Sequence, residues 1–182
     1  MYADSLISII IPCYNDAQYI EQAVNSALNQ TYINKEVIVI DDGSNVETKA
    51  VLKKLEPKIT KLITQENKGQ STARNVGIRE AKGNYILVLD SDDYFESNFC
   101  EEAVAVLKSN LDVKIVSSHL RRFTDDRTLD IFVPSGGDIT TFVLHNGATG
   151  SAMFRKSDAL FLGGYDERMR KGFEDWEFYV RL

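Results

Sequence analysis

Residues 85–93 read Tyr85-Ile86-Leu87-Val88-Leu89-Asp90-Ser91-Asp92-Asp93, an unbroken apolar run that ends in three carboxylates. A short continuous apolar run of this kind is the pattern of a strand buried on both faces, as in parallel sheets. The same design occurs twice upstream. Leu6-Ile7-Ser8-Ile9-Ile10-Ile11 is a buried-type strand stopped by Pro12 and followed by Cys13-Tyr14-Asn15. Glu36-Val37-Ile38-Val39-Ile40 is another, and it runs straight into Asp41-Asp42-Gly43-Ser44.

Helical stretches lie between these strands. Asp16 is positioned to cap a helix whose apolar residues Ile20, Val24, Ala27 and Leu28 recur at helical spacing. Residues 47–55 read as a helix with Pro57 at its exit, 59–63 as a short strand, and 71–81 as a helix stopped by Lys82-Gly83. Beyond these, a helix over 98–109 leads to a strand over 113–118. Residues 120–147 read as strand pieces and loops broken at Pro134-Ser135-Gly136-Gly137. A strand over 151–154, a short helix over 156–162 and a helix from Glu174 onward complete the chain. Alternating strands and helices predict an α/β fold with a Rossmann-like, mostly parallel central sheet flanked by helices. In such sheets ligands bind beyond the carboxyl ends of the strands, where all three polar clusters fall.

The whole-chain numbers narrow the partners. At 182 residues the chain fits one domain, with a shift in composition near residue 120. Twenty-one basic residues against 27 acidic ones give a net charge of −6, which argues against an electrostatic grip on nucleic acid. No run reaches the roughly 18 apolar residues of a membrane-spanning helix. Met1-Tyr2-Ala3-Asp4-Ser5-Leu6 lacks the features of a secretory leader. Cys13 and Cys100 have no metal-type spacing and read as reduced, packed thiols of a cytoplasmic protein. His119 and His145 have no spaced partner ligands and read as ordinary polar histidines.

Asp90 and Asp92 stand two apart, so in extended backbone they face one ion together. Oxygen-only ligands suit Mg²⁺ or Mn²⁺ shared with substrate phosphates. The same segment also reads as a solvated acidic turn capping the next helix through Asp93 or Ser97, but its place at a strand end favours the site. An acid in the position of Asp41 or Asp42 can accept from a base imide or a ribose hydroxyl, and the segment also fits a plain turn. Residues 67–75 join a glycine turn to a helix start, where Lys68 and Arg74 can meet phosphate. Phe173-Glu174-Asp175-Trp176-Glu177 places acids among aromatics; by its residues alone it reads as an ordinary helix start.

Together, Ser8-Ile9-Ile10-Ile11-Pro12-Cys13-Tyr14-Asn15, Val39-Ile40-Asp41-Asp42-Gly43-Ser44, residues 67–75, Leu89-Asp90-Ser91-Asp92-Asp93 and Gly172-Phe173-Glu174-Asp175 resemble the family 2 glycosyltransferases of the GT-A fold. The resemblance spans nearly the whole chain. It implies a nucleotide-sugar-binding half at 1–118 and an acceptor-side half at 119–182. Pro12 and Tyr14 would line the nucleotide pocket, Asp42 would read the base with Asp41 in the same motif, and Lys68 and Arg74 would lie on the nucleotide side. Asp92 matches the direct metal ligand of an Asp-any-Asp motif, with Asp90 on the ribose or supporting the metal. Asp175 matches the general base and Glu174 its supporting neighbour. The implied reaction is a single inverting displacement, with Mn²⁺ or Mg²⁺ as cofactor. The implied partners are a nucleotide-sugar donor, UDP-linked by default, and a glycan or lipid-linked acceptor in bacterial polysaccharide or cell-surface glycan synthesis. The expected location is the cytoplasm, including the inner face of the membrane.

Family members usually continue past the acceptor-side helix, whereas this chain stops at Tyr179-Val180-Arg181-Leu182, so the expectation is a truncated acceptor half. Three other readings share parts of the pattern. A sugar nucleotidyltransferase would carry a glycine-rich basic loop where Pro12-Cys13-Tyr14-Asn15 stands. A non-catalytic nucleotide-sugar-binding module would keep Asp42 and Asp92. A receiver-type signalling domain also holds Mg²⁺ at acidic strand ends, but its late lysine has no match.

Overall fold

The computed structural model describes residues 5–124 and 127–182. Residues 1–4, part of the segment read for a leader, lie outside the described residues.

Strand β1 (Ile7–Cys13) is buried along its whole length, as its run of isoleucines requires. It pairs in parallel with β2 (Lys35–Asp42) on one side and β4 (Tyr85–Val88) on the other, and β2 pairs in parallel with β3 (Lys61–Gln65). The six-stranded sheet runs β3-β2-β1-β4-β8-β5. β8 (Met153–Arg155) is antiparallel to both β4 and β5 (Ile115–Val116). The order turns back between β1 and β4, and the crevice beyond their carboxyl ends is the binding place in sheets of this class.

Alternate strand residues feed two cores, which is why the strand sequences are apolar without alternation. Ile7, Ile9, Ile11, Val37, Val39 and Leu87 pack against α1 (Ile20–Leu28), α2 (Val46–Leu55) and α4 (Phe99–Ser109). Ile10, Ile38, Ile40, Ile86 and Val88 pack against α3 (Gln70–Glu80), α6 (Lys156–Phe161) and α7 (Glu174–Arg181). Gly77 lets α3 reach the sheet, since a β carbon there would lie 2.3 Å from Ile10 Cγ2. No helix among the described residues is long and apolar enough to cross a membrane.

Several expectations shift. Asp16 does not cap α1 with its side chain; its backbone carbonyl accepts from Tyr19 and Ile20, and its carboxylate turns to the Ser91 hydroxyl. The third strand starts at Lys61 because a 3₁₀ turn over Glu56–Lys58 occupies the chain before it. The expected strand over 113–118 shrinks to Ile115–Val116. Arg155 explains this, because its guanidinium takes the carbonyls of Leu107, Asn110 and Val113 and holds the entry to that strand out of the ladder. Within 120–147 a hairpin forms from β6 (Leu120–Thr124) and β7 (Arg127–Phe132). A helix not expected there, α5 (Ile139–Leu144), follows, capped by Asp138 accepting from Thr140 and Thr141 N–H. An Asp before Ile139-Thr140-Thr141-Phe142 is a readable start signal that the strand-and-loop expectation passed over.

Candidate active site

The ends of β1 and β2 are locked together before any ligand arrives. Asn15 sits in the left-handed region (φ 62°), which Asn tolerates better than most residues. Its N–H donates to Ser44 Oγ at 3.1 Å, and its side chain accepts from Asn45 N–H at 2.7 Å. Asp41 accepts from Ser44 N–H at 2.9 Å and is buried. These bonds present Tyr14, half exposed, at the crevice while Pro12 stays buried in β1.

Asp42 is buried and organises the next loop. Its carboxylate accepts from Gln65 Nε2 at 2.7 Å, Lys68 N–H at 2.9 Å and Gly69 N–H at 2.8 Å. Gly43 (φ 75°) makes this approach possible, because a β carbon there would lie 2.7 Å from Asn67 N. Lys68 therefore joins Asp42 through its backbone and leaves its side chain exposed.

Four acids gather beyond β4. Asp90 is largely buried: its Oδ1 accepts from Arg74 at 2.7 Å and from Gln70 Nε2 at 3.0 Å. Ser91 donates to Asp16, which brings that acid from the β1 side into the group. Asp92 is exposed at its tip, and its carboxyl is raised above the usual range by desolvation and by Asp90 and Asp16. Burial, then Asp90 and Asp92, push Asp93 up to about 6. Such a group resists full ionisation unless a positive charge joins it.

Asp175 reaches the same crevice from α7. A β carbon built on Gly150 would lie 3.4 Å from Asp90 Oδ2 and 3.6 Å from Asp175 Oδ2, so both carboxylates flank one point. Asn146 Nδ2 donates to Asp175 Oδ2 at 3.0 Å, and Trp176 Nε1 to the Phe142 carbonyl at 2.5 Å. Glu174 is buried against Arg74 at 2.9 Å. A cleft of about 290 Å³ adjoins Asp92 and Asp93, walled by Tyr94, His119, Arg121 and Phe123. Tyr94 and Phe123 meet edge-on at 5.8 Å, and Arg121 stacks over Phe123 and donates to the Tyr94 hydroxyl.

The structure thus brings Tyr14, Asp90, Asp92, Asp175 and Glu174 to one region, with Asp42 at the end of β2 and Lys68 on the loop bonded to it. Arg74, expected on the nucleotide side, is fully buried between two carboxylates. The sequence does not single out Asn146, Gln70, Ser151 or the site role of Asp16 by itself. Gln70 lies inside the 67–75 motif and Asp16 directly follows Asn15, so a sequence signal for these two was within reach.

The acidic group fits a divalent ion by its chemistry. Its donors are all oxygen, and the strain on Asp92 and Asp93 is of the kind a cation relieves. No three His, Cys, Asp or Glu side chains among the described residues converge tightly enough to hold an ion alone. A site of that kind takes its remaining ligands from phosphate and water. His145 meets Ser135 at 3.0 Å on the surface. Cys13 and Cys100 are free and buried, and burial pushes both thiols up to about 12.

The profile of Glycosyl transferase family 2 matches residues 8–160. The chain belongs to glycosyltransferase family 2. It is 38% identical over 128 residues to chondroitin synthase of Escherichia coli, covering 69% of this chain and 18% of the synthase. The fold matches Staphylococcus aureus TarS 1-349, solved in complex with UDP-GlcNAc, with a TM-score of 0.76 and 22% identity; the match covers 96% of this chain and 52% of TarS 1-349. It also matches the mannosyltransferase PcManGT of Pyrobaculum calidifontis, solved with GDP-Man and Mn²⁺, with a TM-score of 0.71 and 22% identity; that match covers 94% and 50% of the two chains. The glycosyltransferase spans less than half the length of the curated relatives it matches.

Proposed function

We propose that this glycosyltransferase moves a sugar from a nucleotide diphosphate, UDP-linked by first expectation, to an acceptor hydroxyl with inversion at the anomeric carbon. One observation carries the reading: Asp175 and Asp90, from distant parts of the chain, flank a single point in the crevice. An inverting displacement needs a base on one face of the sugar and charge stabilisation at the leaving group on the other. Asp175 is the base. Asn146 occupies its Oδ2 and leaves Oδ1 to accept the acceptor hydroxyl proton. The freed oxygen attacks the anomeric carbon, and the bond to the diphosphate oxygen breaks with its electron pair.

Asp92 and Asp90 would hold a divalent cation, Mn²⁺ or Mg²⁺, which neutralises charge on the departing diphosphate when bound. The Tyr14 ring and the Asp42-built loop 65–69 border the nucleoside, with Lys68 reaching toward phosphate. The acceptor enters through the Tyr94–Phe123 cleft, whose aromatic walls suit the apolar face of a sugar ring. A growing glycan or a lipid-linked saccharide, as in polysaccharide synthesis at the inner face of a bacterial membrane, is the acceptor class in keeping with this reading. Calorimetric titration of UDP, GDP and dTDP, with Mn²⁺ and then with EDTA, tests the donor half. Metal-dependent binding of one nucleotide is the expected outcome; failure of all three to bind would sink the reading.

A further inference from the structure

Arg74 stands at the centre of the site, yet its geometry is not that of a ligand-binding arginine. It is buried to 1% exposure, and its two terminal nitrogens serve two different elements. One donates to Asp90 Oδ1 at 2.7 Å at the end of β4, the other to Glu174 Oε1 at 2.9 Å in the first turn of α7, 100 residues away in sequence. Nε has no hydrogen-bond partner among the described residues, and the guanidinium lies 5.2 Å from the centre of the Tyr165 ring. Burial works against its charge, and the groups around it, Asp90 first and then Tyr165 and Tyr179, together more than offset that. Both terminal nitrogens are taken up by protein carboxylates, and the Arg74 side chain is only 2% exposed.

We propose that Arg74 is a positioning residue, a clamp that ties the donor-side carboxylate Asp90 to Glu174 and so fixes where the adjacent Asp175 stands. This rests on the reading of Asp175 as the base. The surroundings support a rigid joint. Tyr179, four residues beyond Asp175 along α7, holds its hydroxyl 3.0 Å from the carbonyls of both Thr149 and Gly150, the segment lying between Asp90 and Asp175. Gln70 on the same helix as Arg74 adds a second bond to Asp90 Oδ1. Arginine suits the task because its planar fork spans two carboxylates at once, whereas a lysine ammonium is a single point charge. The donor end and the base end of the site are therefore one mechanical unit with a cation at its middle.

The test compares wild type, Arg74→Lys, Glu174→Gln and the double variant by hydrogen exchange and by UDP binding with Mn²⁺. Glu174→Gln keeps an acceptor oxygen and leaves the Arg74–Asp90 pair intact, so it stays folded even if Arg74→Lys does not. The clamp requires each single variant to speed exchange of the α7 amides about tenfold or more, while β1 and β2 stay protected. It also requires the double variant to match Glu174→Gln, because Arg74 acts on α7 through Glu174. Unchanged α7 exchange in Glu174→Gln, or a further increase in the double variant, would overturn it. UDP affinity in Glu174→Gln should stay within about twofold of wild type. A tenfold weaker affinity would mean that this pair serves the nucleotide, which also overturns the clamp. If wild type binds no UDP, the donor reading falls, and the exchange arm still decides the clamp.

Discussion

The loop built on Asp42 and the stretch from the hairpin to α5 are made by opposite means. Asp42 is buried and accepts three short bonds, two of them from backbone N–H groups of residues 68 and 69. The hairpin β6–β7 stands out from the sheet with Leu129, Ile131 and Phe132 exposed, and its Arg122–Asp130 pair lies in solvent. The first region is held by polar bonds that converge on one buried carboxylate. The second is held at its margins, by the aromatic pair Tyr94–Phe123 and by the Trp176–Phe142 bond. On the proposed function the first region serves the donor and the second the acceptor, an arrangement in which one scaffold would serve varied acceptors, since surface segments tolerate change and core ones do not.

The largest effect should come where the two regions meet. Asp175→Asn keeps shape and the Asn146 contact but removes the base, and transfer should fall by about 10²–10⁴-fold. UDP binding with Mn²⁺ should remain within about twofold, measured by calorimetry beside a UDP-release assay; near wild-type transfer would remove Asp175 from the mechanism. Next, Asp42→Ala strips the acceptor from three partly buried donors and should cost about 1–3 kcal/mol. That corresponds to a Tm lower by roughly 2–12 °C in thermal unfolding. A neutral outcome would break the contrast, since it would show the donor loop to be no better anchored than the hairpin.

Asp92→Ala sharpens the contrast from the other side. It should weaken Mn²⁺-dependent UDP binding by about tenfold or more while leaving the metal-free Tm unchanged or slightly higher, because burial and the neighbouring Asp90 and Asp16 disfavour its charge. Asp93 gives a pH test. Its folded pKa, about 6, lies above the ordinary 3.8, so folding disfavours its charged form. That penalty is absent below pH 4, grows between pH 4 and 6, and is full above 6. Asp93→Asn should therefore raise Tm by a few degrees at pH 7.5, with the gain vanishing near pH 4; a gain that persists at pH 4 would point to packing instead. The smallest effect belongs to the hairpin. Arg122→Ala removes an exposed ion pair and should move Tm by no more than about 1 °C.

The local sequence determined much of this protein. Near-continuous apolar runs at 7–11, 37–40 and 85–88 have no stable place except strands covered on both faces, and the carboxylates that follow the last two have no place except the strand ends. The sheet, its parallel core and the positions of Asp42, Asp90 and Asp92 follow from that rule. Helix α5 was also legible through Asp138, but weakly, because one cap among scattered apolar residues competes with strand signals. What only the tertiary structure decided are the relations across the chain. The antiparallel seat of β8, the short β5 held off by Arg155, and Asp16 turned to Ser91 all depend on contacts between distant segments. Arg74 shows the reason most plainly. In sequence it is a basic residue near a helix start, open to any anion. Only folding, which buries it between Asp90 and Glu174, selects which anions it meets, because charge pairing is set by proximity in space and carries no periodicity along the chain.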